Sequence, residues 1–391
     1  MTTQHSILAP SASDKWGAGK CTGYVSLATM YPQPETEDTI RGSVVHDMGA
    51  RKIRNELSLD PDPLPISVEG DVTPEGVYVD AGMVEGSDMY AETVCDTYFN
   101  MTDRANGQTP VICIEETIPL KSIHDLCFGT PDVVLYSRVL GELVVFDYKN
   151  GHSYVGVYEN PAIVCYVSGA LARFEGVSNE TCVTATVIQP FSYHSTGSVR
   201  SWKFIYRDIR LSIGKIATAA AQSLGPAAQF QTGPHCKNCY PRFACPAALE
   251  AGMGLYEVAT QPIPQELPPD QMGAQLRIIE RAVEQLGSLQ KSYAAQIEAF
   301  CRAGKVVPGW GLTPVSGREK WVRPYNEIVA LGELFGVDLR ARKTLTPNQA
   351  RKAGLDEGAV KTYSERPSGL ALSQIDTNRF KRAFARKDDG L

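Results

Sequence analysis

Hydrophobic positions along the chain change period several times, and each change marks a predicted element. Residues 133–136 and 143–146 are unbroken apolar runs rich in β-branched and aromatic side chains. They predict two buried strands, 132–136 and 142–149, joined by a turn near Gly141. A similar run between Pro110 and Leu120 predicts a strand before them, completing a three-stranded meander. Alternation over Thr181 to Gln189 and Val199 to Tyr206 adds two further strands. Helical spacing takes over elsewhere: from Arg41 (Val45, Met48, Ile53, Leu57), between Val77 and Thr102, over 160–174 (Ile163, Tyr166, Val167, Ala170, Leu171) and over 209–224. Met272 to Arg302 is a long amphipathic pattern with Leu276, Ile279, Ala282, Leu286 and Leu289. A helix over Pro10 to Leu27, capped by Ser11 or Ser13, is expected at the start. The Pro- and Asp-rich stretch from Asp60 to Pro74 reads as a surface loop. The Pro-rich stretch from Gln261 to Pro269 reads as a linker. These elements predict a mixed α/β fold in three parts: a domain over 1–260, a linker over 261–270 and an appendage over 271–391. The appendage is expected to hold the long helix, a hairpin over 306–322 around Ser316 and Gly317, and short helices, one capped at Thr346 and Pro347.

Composition adds little to this picture. Of the 391 residues 43% are hydrophobic and 21% charged, as in a soluble globular protein. No apolar run approaches the roughly 18–20 residues of a membrane helix, and residues 1–10 carry no charged region before an apolar core. A cytoplasmic protein with no membrane partner is the expectation. The net charge of -6 conceals an uneven distribution: residues 55–100 hold 11 acidic residues and no Lys or Arg, whereas 340–387 hold 12 basic residues against 4 acidic. The basic end suits either phosphate contact or a solvated helix face.

The strand pattern changes meaning where the apolar runs end in charge. Asp147 and Lys149 alternate onto the same face of their strand, and Asp132 opens the strand before it. Carboxylates at the ends of buried strands are costly to desolvate without a partner. Hard divalent cations, Mg²⁺ or Mn²⁺, are natural partners for such oxygens. On the preceding strand Glu115 and Glu116 point to opposite faces, so one of them can join; spacing alone does not choose.

Ten cysteines complete the candidate chemistry. Cys95, Cys113, Cys127, Cys165, Cys182 and Cys301 lie among apolar residues and are expected to fill a reduced core. Cys236, Cys239 and Cys245 form a tight cluster, which in a reducing compartment points to a metal before disulfides. All-thiolate ligation suits an iron–sulfur cluster or Zn²⁺. His235 is adjacent, but neighbouring residues rarely reach one metal together.

The order helix, Glu strand, Asp strand, Asp-x-Lys strand, helix is that of the PD-(D/E)XK nuclease core, here written as Pro131 and Asp132, then Asp147, Tyr148 and Lys149. On these residues the chain resembles the RecB-like exonucleases, including AddB-type and CRISPR-associated members that carry an iron–sulfur cluster. It is also similar to an uncharacterised group of such proteins found in phages and prophages. The similarity covers roughly residues 5–250 well and the last third more loosely. It implies a restriction-endonuclease-like core and a DNA exonuclease that trims ends in recombination or replication, in the cytoplasm of a bacterial host if phage-encoded. A single-strand annealing or binding protein as partner, and an oligomer, are compatible with it. Gly42, Ser43 and His46 match the family's helical Gly-Thr/Ser-x-x-His, so the resemblance makes His46 a metal ligand. Ile114, Glu115 and Ile118 match its Val-Glu-x-x-Val, which favours Glu115 over Glu116. Asp132, Asp147 and the Tyr148 carbonyl would complete the metal set, with Lys149 the catalytic cation. Cys21 matches the family's lone N-terminal cysteine and would join Cys236, Cys239 and Cys245 around a [4Fe–4S] cluster that clamps the domain's ends, Zn²⁺ being the alternative. The family's Gln-x-x-x-Tyr helix motif keeps Tyr166 as a substrate contact, but Ala162 stands where Gln would be.

The last third shows no catalytic pattern. Trp310, Trp321, Arg318, Lys320 and Arg323 form an aromatic-plus-basic set suited to single-strand stacking or, for the two Trp, to packing on the long helix.

Overall fold

The computed structural model describes residues 6–192, 194–260 and 268–312, with side chains omitted at 255–260 and at 270. The predicted hairpin beyond 312 and the helices that follow lie outside the described residues. The chain divides into Met1–Glu319 and Lys320–Leu391, and the description below concerns the first unit.

In chain order its elements are α1 (Ser13–Trp16), α2 (Tyr24–Met30), α3 (Glu37–Glu56), α4 (Ala81–Arg104), β1 (Val111–Ile114), β2 (Ile118–Pro119), β3 (Phe128–Gly129), β4 (Val133–Ser137), β5 (Glu142–Tyr148), α5 (Pro161–Arg173), β6 (Cys182–Ile188), β7 (Val199–Ile205), α6 (Tyr206–Leu224), α7 (Pro246–Thr260) and α8 (Pro269–Arg302). Two 3₁₀ turns, Pro234–Asn238 and Tyr240–Ala244, carry the cysteine cluster. The main sheet has the order β1-β4-β5-β6-β7. The predicted meander is its antiparallel β1-β4-β5 half. The β5-α5-β6 crossover makes the β5–β6 pair parallel, and β7 returns antiparallel. The result is a mixed sheet flanked by helices.

Strand alternation divides the core in two. Val133, Leu135, Val144, Phe146 and Tyr148 join α3 and α4 in one apolar cluster. Val134, Tyr136, Leu143 and Val145 face α5 and α6 in the other. Both faces are covered, which is why these strands read as continuous apolar runs instead of alternating ones. Asn160 caps α5 through its side chain with Pro161 at the first position. Thr36 and Thr39 form a reciprocal cap that starts α3 four residues before Arg41.

Three expectations change. The predicted helix over Pro10 to Leu27 is a 3₁₀ turn (Pro10–Ala12) and two short helices separated at 17–23, because that segment is spent on placing Cys21. α8 does not begin a separate appendage: Ser292 Oγ donates to the Tyr240 carbonyl (2.8 Å) and accepts from the Phe243 N–H (3.2 Å), so the helix packs on the cysteine loop. Of the expected core cysteines, Cys95, Cys113, Cys127 and Cys165 are buried, but Cys182 is exposed and Cys301 partly so, since both sit at element ends. Among the described residues no helix is long and apolar enough to cross a membrane.

Candidate metal centre

The sheet carries its charged residues at one end. Asp132 immediately precedes β4, and Asp147, Tyr148 and Lys149 close β5. Asp132 is 8% exposed and Asp147 5%. Across the β4–β5 register, Asp132 Oδ2 accepts the Tyr148 backbone N–H at 2.5 Å. Its other oxygen, Oδ1, lies 3.3 Å from His46 Nδ1. That same nitrogen is 3.3 Å from Glu115 Oε1. Among the described residues, His46, Glu115 and Asp132 form the group whose ligand atoms all lie within 4.8 Å of one another. A cleft of about 670 Å³ opens onto them, lined also by Ser43, Arg51 and Arg54.

Each ligand is aimed by a local device. Glu115 follows β1 with its N–H on the Asp132 carbonyl (2.9 Å) and a φ of +49°, a left-handed conformation uncommon for a residue with a side chain. The twist separates the two glutamates: Glu115 turns to His46, while Glu116 pairs with Arg173 at 2.5 Å. His46 is seated on two stacked rings, Tyr148 (centroids 5.2 Å, edge-on) and Tyr90 (6.4 Å), which are themselves 5.1 Å apart. Gly49, one turn along α3, lets Tyr90 come this close, since a Cβ there would overlap its ring.

Asp147 takes the opposite face of β5 from Tyr148. Its Oδ1 accepts from Lys149 Nζ at 2.8 Å, and so the two same-face charges predicted from alternation pair directly. Tyr166 of α5 is 8% exposed, and its hydroxyl is held far above the ordinary range by burial first and then by the charges of Asp147 and Asp132. It lies in the core below the carboxylates, which is a packing position and not an open contact surface.

The electrostatics are those of an anionic pocket holding a proton. Burial would lower the His46 pKa, but Asp132 and Glu115 outweigh it and lift the imidazole to about 10. Burial raises the Glu115 carboxyl, against the pull of His46. It would also raise Asp132, which the His46 and Lys149 charges hold below the usual range. Asp147 is raised by burial despite Lys149. One buried carboxylate, one solvent-facing carboxylate and a half-buried histidine at one point suit a cation that replaces the proton, with oxygen and imidazole ligands. The Tyr90 hydroxyl is buried without a hydrogen-bond partner among the described residues, and its charge environment is Asp132, Glu115 and Asp147. No motif in the sequence marks Tyr90.

The cysteine cluster forms a second centre. The Gly23 N–H donates to the Gln229 carbonyl (2.9 Å), and the Gln229 N–H donates to Thr22 Oγ1 (2.8 Å). These bonds stitch the N-terminal segment to the chain just before Cys236. Cys21 is thereby brought beside the loop, and its thiol is raised by burial and by Cys245 and Cys236. Burial pushes Cys239 to about 12, with Cys236, Cys245 and Cys21 adding to it. The four cysteines thus lie close enough to act on one another's charge. His235 Nε2 is engaged with the Gln231 carbonyl at 2.9 Å. Arg242, inside the loop, is 5% exposed, a buried cation that suits a thiolate-bound, negatively charged centre. Its signal in the sequence is a basic residue placed between clustered cysteines.

The chain belongs to the DUF2800 family, described as proteins of unknown function, whose model matches residues 5–346. No curated protein matches the chain. A solved structure described as "Crystal structure of SSO0001" is 13% identical, covering 58% of this chain and 95% of that one with a TM-score of 0.23. That likeness is too distant to bear on the site.

Proposed function

We propose that the protein is a divalent-metal-dependent deoxyribonuclease of the PD-(D/E)XK, RecB-like type, acting on DNA ends. The observation that carries the reading is the convergence of His46, Glu115 and Asp132 within 4.8 Å, beside an Asp147–Lys149 pair at 2.8 Å. A histidine–carboxylate cluster at the floor of an open cleft, next to a lysine, matches what phosphodiester hydrolysis requires. His46, Glu115, Asp132 and Asp147 would hold Mg²⁺ or Mn²⁺, which acidifies a water and offsets phosphate charge. Imidazole among the ligands favours Mn²⁺. Lys149, its pKa raised by Asp147 against the effect of burial, stays protonated and sets a positive charge where a scissile phosphate gathers negative charge. Asp147 fixes that ammonium in place. Arg51 and Arg54 at the mouth of the cleft receive the flanking phosphates.

Cys21, Cys236, Cys239 and Cys245 would hold a [4Fe–4S] cluster. The likeness to exonucleases with one N-terminal and three C-terminal cysteines favours the cluster over Zn²⁺, since all-thiolate ligation suits either. Its role is a structural clamp. Participation in phage recombination with a single-strand annealing or binding protein extends the same reading.

The test is degradation of end-labelled single- and double-stranded DNA with Mg²⁺ or Mn²⁺. Wild type is expected to degrade at least one substrate, and Asp147→Ala and Lys149→Ala neither. Degradation surviving both substitutions rejects the site. Binding without degradation by the wild type shifts the reading to a non-catalytic nucleic-acid-binding protein, in which Ala162 in place of Gln would be part of the loss.

A further inference from the structure

Arg242 lies between Cys239 and Cys245, and its guanidinium is wrapped by its own loop. Nη2 donates to the Lys237 carbonyl at 2.6 Å and approaches the Cys239 carbonyl at 3.5 Å. Nε and Nη1 are enclosed and have no hydrogen-bond partner among the described residues. A cavity of about 250 Å³, lined by Cys236, Lys237, Arg242 and Leu289, adjoins the loop, but nitrogens this fully enclosed are not solvated from it.

A guanidinium does not shed its proton, so a fixed positive charge and two unpartnered donor nitrogens are shut inside the loop. Buried charges of this kind persist when an opposite charge faces them. No carboxylate among the described residues pairs with Arg242, and the nearby Lys237 turns outward to Glu284 at 3.9 Å. The groups that act on its charge are Cys239, Cys236 and Cys245. Neutral thiols are weak acceptors. Metal-bound thiolates carry the charge that makes such bonds strong.

We infer that Arg242 is the internal counter-cation of the cysteine-bound centre, a positioning residue whose unpartnered Nε and Nη1 serve the ligating sulfurs and set how tightly the centre is held. This rests on the metal reading of the cysteines given above. Outer-shell donors of this type typically alter metal retention by 10–100-fold, and positive charge beside thiolates raises the reduction potential of an iron–sulfur centre.

The experiment uses the full chain, purified anaerobically, as wild type, Arg242→Met, Arg242→Lys and Lys237→Met, the last removing an exposed cation from the same loop. Iron, sulfide and zinc are quantified. Loss of the centre to a chelator is then followed by visible absorbance or zinc release, at a temperature well below each variant's melting transition. The expected result is release on the order of 10-fold faster for Arg242→Met. Arg242→Lys should fall between it and wild type, and Lys237→Met should match wild type. If the centre is iron–sulfur, the potential falls in Arg242→Met and less so in Arg242→Lys. Equal release rates for Arg242→Met and wild type overturn the inference, as does equal acceleration by Lys237→Met, which would mark a general loosening of the loop. Should Arg242→Met not fold, a wild-type release rate and potential in Arg242→Lys overturn it. Wild type that retains no metal while all four cysteines alkylate freely overturns the metal reading, and the inference with it.

Discussion

The acidic centre at the end of β4 and β5 and the cysteine loop differ in how far each converges before anything binds. At the first, side chains from α3, the residue after β1 and the residue before β4 already lie within 4.8 Å, and the two carboxylates hold a proton on His46. At the second, burial raises the Cys239 and Cys245 thiols above their ordinary range, while a buried guanidinium holds two donor nitrogens without partners among the described residues. One centre is open to a cleft, built of hard ligands and suited to exchange. The other is enclosed, soft and suited to permanence. Substitutions should therefore separate along two axes: turnover at the first centre, stability at the second.

The largest effect expected is on turnover. Replacing Asp147 or Lys149 by Ala should reduce DNA hydrolysis roughly 10⁴-fold, the scale seen when a member of a cooperating catalytic set is removed. Asp147→Ala should leave the metal-free melting temperature unchanged or higher, because burial already holds that carboxyl above its usual range and the substitution relieves it. Parallel melting curves and initial rates decide the matter. A large drop in melting temperature for Asp147→Ala would mean that the pair serves the fold.

At the cysteine centre the balance reverses. A centre shared by Cys21 and the 236–245 loop would close more than two hundred residues into a ring, and a cross-link over that span contributes on the order of 5 kcal/mol by chain-entropy arguments. Cys21→Ser should lose much of this, read as a fall in denaturant midpoint, while the protein that remains folded keeps its rate per molecule. A variant that melts like wild type would remove Cys21 from the clamp.

How much of this was legible in the sequence follows the same division. The sheet strands and the pairing of Asp147 with Lys149 were readable because alternation in a strand is a local rule. The choice between Glu115 and Glu116 was not readable from spacing, because it depends on one left-handed residue at a strand end. Apolar spacing does not register the break in the first helix, because that segment's backbone is committed to Gln229. A proline-rich stretch looks like a boundary before α8, whereas Ser292, a small polar residue without a motif, bonds that helix to the cysteine loop. Tyr90 escaped for a related reason: its place under His46 arises from α3–α4 packing across Gly49.

A smaller effect sharpens the contrast through pH. His46 is lifted from 6.5 to about 10 in the metal-free fold. A pKa raised on folding gives stability that is complete below the unfolded value, near 6.5, and is lost as pH rises through the folded value, near 10. Metal-free wild type should therefore lose stability across that window relative to His46→Gln, which lacks the titrating group. A cation must displace the same proton, so Mn²⁺ affinity should rise with pH over the same range. Calorimetry in two buffers of different ionisation enthalpy should detect proton release on binding. Affinity that is flat with pH would take His46 out of the ligand set.

The smallest effect separates the two neighbouring glutamates. Glu116 and Arg173 are both 42% exposed, and such a solvent-screened pair contributes at most about 1 kcal/mol. Glu116→Gln should leave Mn²⁺ binding and hydrolysis intact. Glu115 sits at φ +49°, a conformation that glycine adopts without the strain a side chain brings. Glu115→Gly should thus keep the fold's stability or raise it by about 1 kcal/mol while it weakens Mn²⁺ binding, a combination that a merely structural glutamate would not give. If Glu115→Gly binds Mn²⁺ as wild type does and Glu116→Gln does not, the two residues exchange roles, and the left-handed turn after β1 aims the other carboxylate.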